Sequence, residues 1–128
     1  MRYGLSVALV SDAGTPTISD PGYRLVSVCR KEDITVDAIP GPNAISLALS
    51  MSGLPSDRYI FEGYFSKTSS LKADKLERIK SMELTAVVFE SNARLMKTLL
   101  TIEKVFGEKH IIFIAFELTK LHEFTLKG

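Results

Sequence analysis

The sequence predicts an α/β fold with mostly parallel strands, and three observations predict it. Short, continuous apolar or β-rich runs such as Val7-Ala8-Leu9-Val10 and Thr85-Ala86-Val87-Val88-Phe89 have the character of strands covered on both faces. Between them, apolar residues recur at helical spacing. Gly, Pro, Asp and Ser punctuate nearly every change of period. Strands that alternate with helices imply β-α-β units and parallel pairing.

Taken in order, the first strand is expected over residues 7–10, followed by a long small-residue stretch at 11–22. A helix follows, with Leu25, Val28 and Cys29 as its stripe and Pro21 near its first turn, where a missing N–H costs nothing. Residues 35–39 are β-rich and stop at Pro40-Gly41-Pro42. The next helix runs from about Asn43 to a stop at Gly53; being apolar nearly all round, it is expected to be sandwiched. Leu54-Pro55-Ser56-Asp57-Arg58 reads as a linker, dividing the chain into residues 1–54 and 55–128. Beyond it come a strand at 59–65 and a charged helix capped by Ser69 or Ser70, with Leu71, Leu76, Ile79 and Met82 buried. A strand at 85–89 follows, then a helix capped by Asn92, with the stripe Leu95, Met96, Leu99 and Phe106 and a stop at Gly107. Strands at 111–116 and 121–126 close the series. Two strands are too few for an independent sheet in the first lobe. The chain therefore reads as truncated at both ends, or as needing a second copy to complete its sheet, so a homodimer is expected.

Composition excludes several classes. Apolar residues make up 45% and charged residues 24%, an ordinary globular balance, and the net charge of +1 gives no global field for nucleic acid. A local basic face remains open, because residues 67–94 carry six Lys and Arg. The lysines at 67–80 read as a solvated helix face, with contact to a phosphate backbone as the alternative. Cys29 is the only cysteine, so no internal disulfide forms, and it reads as a small core residue. No metal-ligand spacing is present, and no apolar run reaches the roughly 20 residues that span a bilayer. Residues 1–4 are too short and polar for a secretory signal.

Three loops are placed at strand carboxyl ends, where parallel sheets bind ligands: 11–22, 40–43 and 90–94. Their glycines permit close backbone approach, and their prolines reduce the ordering cost of binding. Such loops suit a polar, mostly neutral ligand such as a nucleoside or an amino-acid moiety. Phosphate-loop patterns are absent. His110 reads as a strand-edge residue. His122 beside Glu123 offers a proton carrier with an orienting carboxylate, but neighbours on a strand face opposite ways, which favours a structural role.

"VALVSDAGTPTISDPGYRLV", "IPGPNAISLALSMSGLPSDRYIFEGYF", "VVFESNARL" and "ELTKLHEFTLKG" occur in an order that resembles bacterial small-subunit (16S) ribosomal RNA cytidine 2'-O-methyltransferases. These are S-adenosylmethionine-dependent enzymes of the tetrapyrrole-methylase-like class. The resemblance implies two α/β lobes with the cofactor, S-adenosyl-L-methionine, in the cleft between them. It places Ser11, Asp12, Ala13, Gly14, Thr15, Pro16 and Ile18 along the methionine and ribose end, with Asn43 and Ala44 on the second loop. Glu90 and Gly128 are implied as further cofactor contacts. For transfer of a methyl group to a ribose hydroxyl, Glu117 and Glu90 are the candidate bases and Lys120 an electrostatic helper; each also reads as a loop-anchoring ion pair. Ribosomal RNA in the small subunit and a cytoplasmic location go with this reading. The chain departs from the family pattern in lacking a His before Arg94 and in having Phe116 where an Arg usually precedes "ELTK". A tetrapyrrole-like acceptor, or a non-catalytic homologue that associates through its sheet edge or cleft, are the alternatives.

Overall fold

The computed structural model describes residues 4–128, so residues 1–3, read above as part of a segment too short for a secretory signal, lie outside the described residues. The chain forms two compact units, one ending at Ala44 and the other running from Ile45 to Gly128. The α/β class holds, with a correction to the pairing given below.

Among the described residues, the first unit contains one helix, α1 (Tyr23–Lys31). Arg30 and Lys31 in its last turn complement the helix dipole. Cys29 is its buried residue, as expected of a small apolar side chain. The strands expected at 7–10 and 35–39 are not formed. Both segments lack strand partners, and their apolar side chains stand in solvent, Val10 at 82% and Ile39 at 91% exposure. β propensity alone does not make a strand; each backbone N–H and C=O needs a ladder partner.

Residues 11–22 instead fold as a series of tight turns. Thr17 and Ser19 take left-handed backbone conformations (φ 76° and 60°), as do Gly14 (φ 74°) and Gly22 (φ 129°). A β-branched residue at positive φ is an outlier held by its surroundings. Gly22 caps α1, and a Cβ built there would meet Leu9 Cδ2 at 2.5 Å and Thr17 Cγ2 at 3.1 Å. Gly22→Ala is therefore expected to lower unfolding stability by about 1–2 kcal/mol, read in a urea titration of the helical signal.

The second unit begins with α2 (Ala44–Ser52), which the sequence reading groups with the first lobe. Its buried residues Ile45, Leu49 and Ser52 form a single stripe. The expected sandwiching is corrected, because Ser46, Ser50 and Met51 face solvent. Gly53 ends the helix at φ 62°, as the sequence predicts.

Strand β1 (Tyr59–Tyr64) pairs in parallel with β2 (Thr85–Phe89), with Tyr59 opposite Thr85 and Tyr64 opposite Phe89. The register shifts between Phe61 and Tyr64, where Gly63 takes φ 61°. Helix α3 (Ser69–Met82) connects them and α4 (Asn92–Phe106) follows β2, giving a β-α-β-α run. The core cluster is Phe65, Leu76 and Ile79, packed against Ile60, Ala86 and Val88 from the strands and Ile102, Val105 and Phe106 from α4. The N-caps are Thr68 and Ser91, each one residue before the expected position.

Two stripe assignments are corrected. On α3 the inward row is Lys72, Leu76 and Ile79, while Leu71 and Met82 are exposed. On α4 Thr98 is buried and Met96 is exposed. One four-residue step back from Leu76 falls on Lys72, so helix geometry places a lysine inside.

Strands β3 (Phe113–Phe116) and β4 (Phe124–Lys127) form a separate antiparallel hairpin, extended by paired Ile112 and Gly128. Here the expected parallel pairing gives way, because a connection of seven residues is too short for a parallel crossover. Glu117 and Thr119 make that turn with positive φ.

Candidate functional site

In the first unit, the structure brings together the two loops that the sequence singles out. A Cβ built on Gly14 would stand 3.8 Å from the Pro42 carbonyl oxygen, so residues 11–22 and 40–43 are neighbours. Ser11 Oγ closes the start of its loop by donating to the carbonyls of Ala13 (3.3 Å) and Gly14 (3.4 Å). Asp12, Ala13 and Ile18 are exposed, Thr15 and Pro16 half-buried, and Asn43 and Ala44 exposed beside Gly41. Nothing lies within 4 Å of a Cβ built on Gly41. The pair of loops thus presents small residues and accessible backbone. Neither loop follows a strand, which corrects the expectation of a carboxyl-end position for both; of the third, expected at 90–94, only Glu90 and Ser91 connect β2 to α4, which already begins at Asn92.

In the second unit, the carboxyl end of β2 carries a buried polar cluster centred on Glu90. The Glu90 side chain is 6% exposed and Lys72 3%. Glu90 Oε1 accepts from Arg94 Nη2 at 2.6 Å and from the Ser91 N–H at 2.8 Å. Glu90 Oε2 accepts from Thr98 Oγ1 at 2.7 Å and from Lys72 Nζ at 3.4 Å. Lys72 also contacts Thr98 Oγ1 at 2.5 Å and lies over the Phe65 ring, 5.7 Å from its centroid. Among the described residues, no buried side-chain N or O lacks a partner. A buried charge is tolerated only when paired and hydrogen-bonded, and this cluster meets that condition.

Burial pushes the Glu90 carboxyl up, but the hydrogen bonds from Thr98 and Ser91 and the charges of Arg94 and Lys72 outweigh it. The carboxyl is held below its ordinary value of 4.5. A carboxylate depressed on folding stabilises the protein above its unfolded pKa, and that contribution is lost as pH falls through the folded pKa. Urea midpoints are therefore expected to fall as pH drops below about 4.5, and Glu90→Gln should flatten that part of the curve.

Glu117 and Lys120 lie together in the β3–β4 turn, where the Lys120 N–H donates to the Glu117 carbonyl at 2.9 Å. The Thr119 N–H donates to Glu123 Oε2 and holds the turn. Among the described residues, the Glu117 carboxylate has no hydrogen bond or ion pair, and none joins that turn to the Glu90 cluster. Gly128 pairs its backbone with Ile112. His110 stacks on Phe106, with ring centroids 4.2 Å apart, which gives it a structural place. Of the lysines at 67–80, Lys75 pairs with Glu62 at 2.8 Å and Lys80 donates to the Val105 carbonyl at 2.6 Å. With Lys72 buried as well, three members of the supposed basic face are occupied by the protein itself. The reading from sequence missed Lys72 and Thr98 as members of the Glu90 cluster; the i, i+4 spacing of Glu90 and Arg94 was the one available signal.

A family model described as tetrapyrrole (corrin/porphyrin) methylases matches residues 1–128. A protein of Vibrio cholerae named ribosomal RNA small subunit methyltransferase I is 47% identical over 125 residues, covering 98% of this chain and 43% of the relative. Proteins of the same name from Thermotoga maritima and Escherichia coli O157:H7 are 43% and 46% identical over 128 residues. The chain covers 57% and 44% of these two, so it spans about half the length of the curated relatives it matches.

Proposed function

This chain belongs to the tetrapyrrole methylase family, and we propose that it forms part of an S-adenosylmethionine-dependent methyltransferase acting on a cytidine ribose 2'-hydroxyl of small-subunit ribosomal RNA. The observation that carries the reading is identity of 43–47%, along nearly the whole chain, to proteins named ribosomal RNA small subunit methyltransferase I. The adjacency of residues 11–22 and 40–43 supports it, because those loops offer the small, accessible surface a nucleoside needs.

On this reading Ser11, Asp12, Ala13, Gly14, Thr15, Pro16 and Ile18 hold the methionine and ribose end of S-adenosylmethionine. Asn43 and Ala44 flank them, and Gly128 is a further contact. When bound, the cofactor supplies an electrophilic methyl group on a sulfonium sulfur. Positioning is the main task for such an in-line displacement, and pre-stiffened loops serve it. A ribose hydroxyl is a weak nucleophile at neutral pH and gains from a base. We place that base at Glu117, whose carboxylate has no hydrogen bond or ion pair among the described residues, and Lys120 beside it as the electrostatic helper. Glu90 is a poorer base, because each of its oxygens already accepts two hydrogen bonds or ion pairs and its basicity is lowered.

The reading carries small ribosomal subunits as the partner, a homodimer as the assembly and the cytoplasm as the place of action. No helix among the described residues is long and apolar enough to cross a membrane. Calorimetry should give saturable binding of S-adenosylmethionine and of its demethylated product. In a methyl-transfer assay on under-methylated small subunits, a full-length relative should lose transfer on Glu117→Gln while keeping cofactor affinity. Retained transfer removes Glu117 from the base role, and absent cofactor binding removes the whole reading.

A further inference from the structure

At the carboxyl end of β2, Arg94 combines a fixed orientation with partial exposure. Its Nε donates to Ser91 Oγ at 2.9 Å and its Nη2 to Glu90 Oε1 at 2.6 Å. A guanidinium has five N–H donors, so three remain, and among the described residues they have no protein partner. The side chain is 26% exposed, whereas Glu90 behind it is 6% exposed. Lys72, Arg94 and Glu90 together leave one surplus positive charge at the carboxyl edge of a parallel strand pair.

We infer that Arg94 contacts a phosphate of the RNA and that Glu90 is the residue that positions it, an inference resting on the ribosomal RNA reading above. Two directional hydrogen bonds fix the guanidinium plane, and its remaining N–H groups match the oxygens of a phosphodiester. Glu90 is itself immobile, because Lys72, Thr98 and the Ser91 N–H hold its oxygens. The carboxylate therefore aims the guanidinium and does not engage the substrate.

The test uses the 128-residue chain and a fluorescent single-stranded oligoribonucleotide of small-subunit ribosomal RNA sequence, with anisotropy read across a salt series. Arg94→Ala is expected to weaken binding at every salt concentration and to reduce the slope of log K against log salt by about 0.7, one phosphate contact on a single strand. Glu90→Gln removes a negative charge, so a purely electrostatic role requires tighter RNA binding. Positioning requires weaker binding. Ser91→Ala, which leaves charge unchanged and lies at an exposed position, is expected to weaken binding as well and serves if Glu90→Gln does not fold. An unchanged slope for Arg94→Ala, or tighter binding for Glu90→Gln, overturns the inference. So does unchanged affinity for Ser91→Ala, or a parent chain that binds no RNA. Cofactor calorimetry involves no RNA and separates failure of this contact from failure of the methyltransferase reading.

Discussion

Glu90→Ala is expected to lower the unfolding free energy by about 3–5 kcal/mol, the usual cost of removing one partner from a buried ion pair. The substitution leaves the Lys72 ammonium 3% exposed, with the Thr98 hydroxyl and the Phe65 ring as its remaining company. A hydroxyl and a ring face do not balance a desolvated charge. It also releases the Ser91 N–H at the start of α4 and the Arg94 guanidinium. The double variant Lys72→Met, Glu90→Gln removes both charges at similar volume and should recover much of the loss. Urea unfolding at pH 7 checks both values; a loss below about 1 kcal/mol would mean that water reaches Lys72.

Phe65→Ala is expected to cost about 3–5 kcal/mol in the same assay. Phe65 is buried where Leu76 and Ile79 of α3 meet the strands, and α4 closes the cluster through Ile102, Val105 and Phe106. The deletion leaves a void that β1, β2, α3 and α4 would have to collapse to fill. Its ring also lies under the ammonium groups of Lys72 (5.7 Å) and Lys75 (5.9 Å). A double-mutant cycle of Phe65→Leu with Lys72→Met should therefore give a coupling of about 0.5 kcal/mol or more.

The parts legible in the sequence are those set by local pattern. The strand at 85–89 and the helix stop at Gly53 follow from a short apolar run and a C-terminal glycine. Helical spacing found Leu76 and Ile79 and puts Lys72 on the same row, but it could not show that a lysine would be buried there. The reason is physical: a buried lysine needs a partner, and Lys72 finds one in Glu90, 18 residues later. Periodicity carries no information about such a long-range pair. Residues 7–10 and 35–39 have strand composition, yet strand formation depends on partners that composition does not specify. The β3–β4 hairpin was hidden because non-glycine residues, Glu117 and Thr119, take the left-handed conformations that turn rules assign to glycine. For the candidate site, Gly and Pro marked the loops at 11–22 and 40–43, and their adjacency came from the structure. Chemistry came from neither, since small, accessible backbone suits many polar ligands.

The central claim is that residues 11–22 and 40–44 shape themselves around a sulfonium nucleoside. Titration of the isotopically labelled chain with S-adenosylmethionine, followed by amide chemical shifts, tests it most directly. The account predicts saturable shifts concentrated in those two stretches and weakened by Gly14→Val, which puts a β-branched side chain at φ 74° against Pro42. Shifts confined to other parts of the chain, or none at concentrations where a full-length relative saturates, would contradict it.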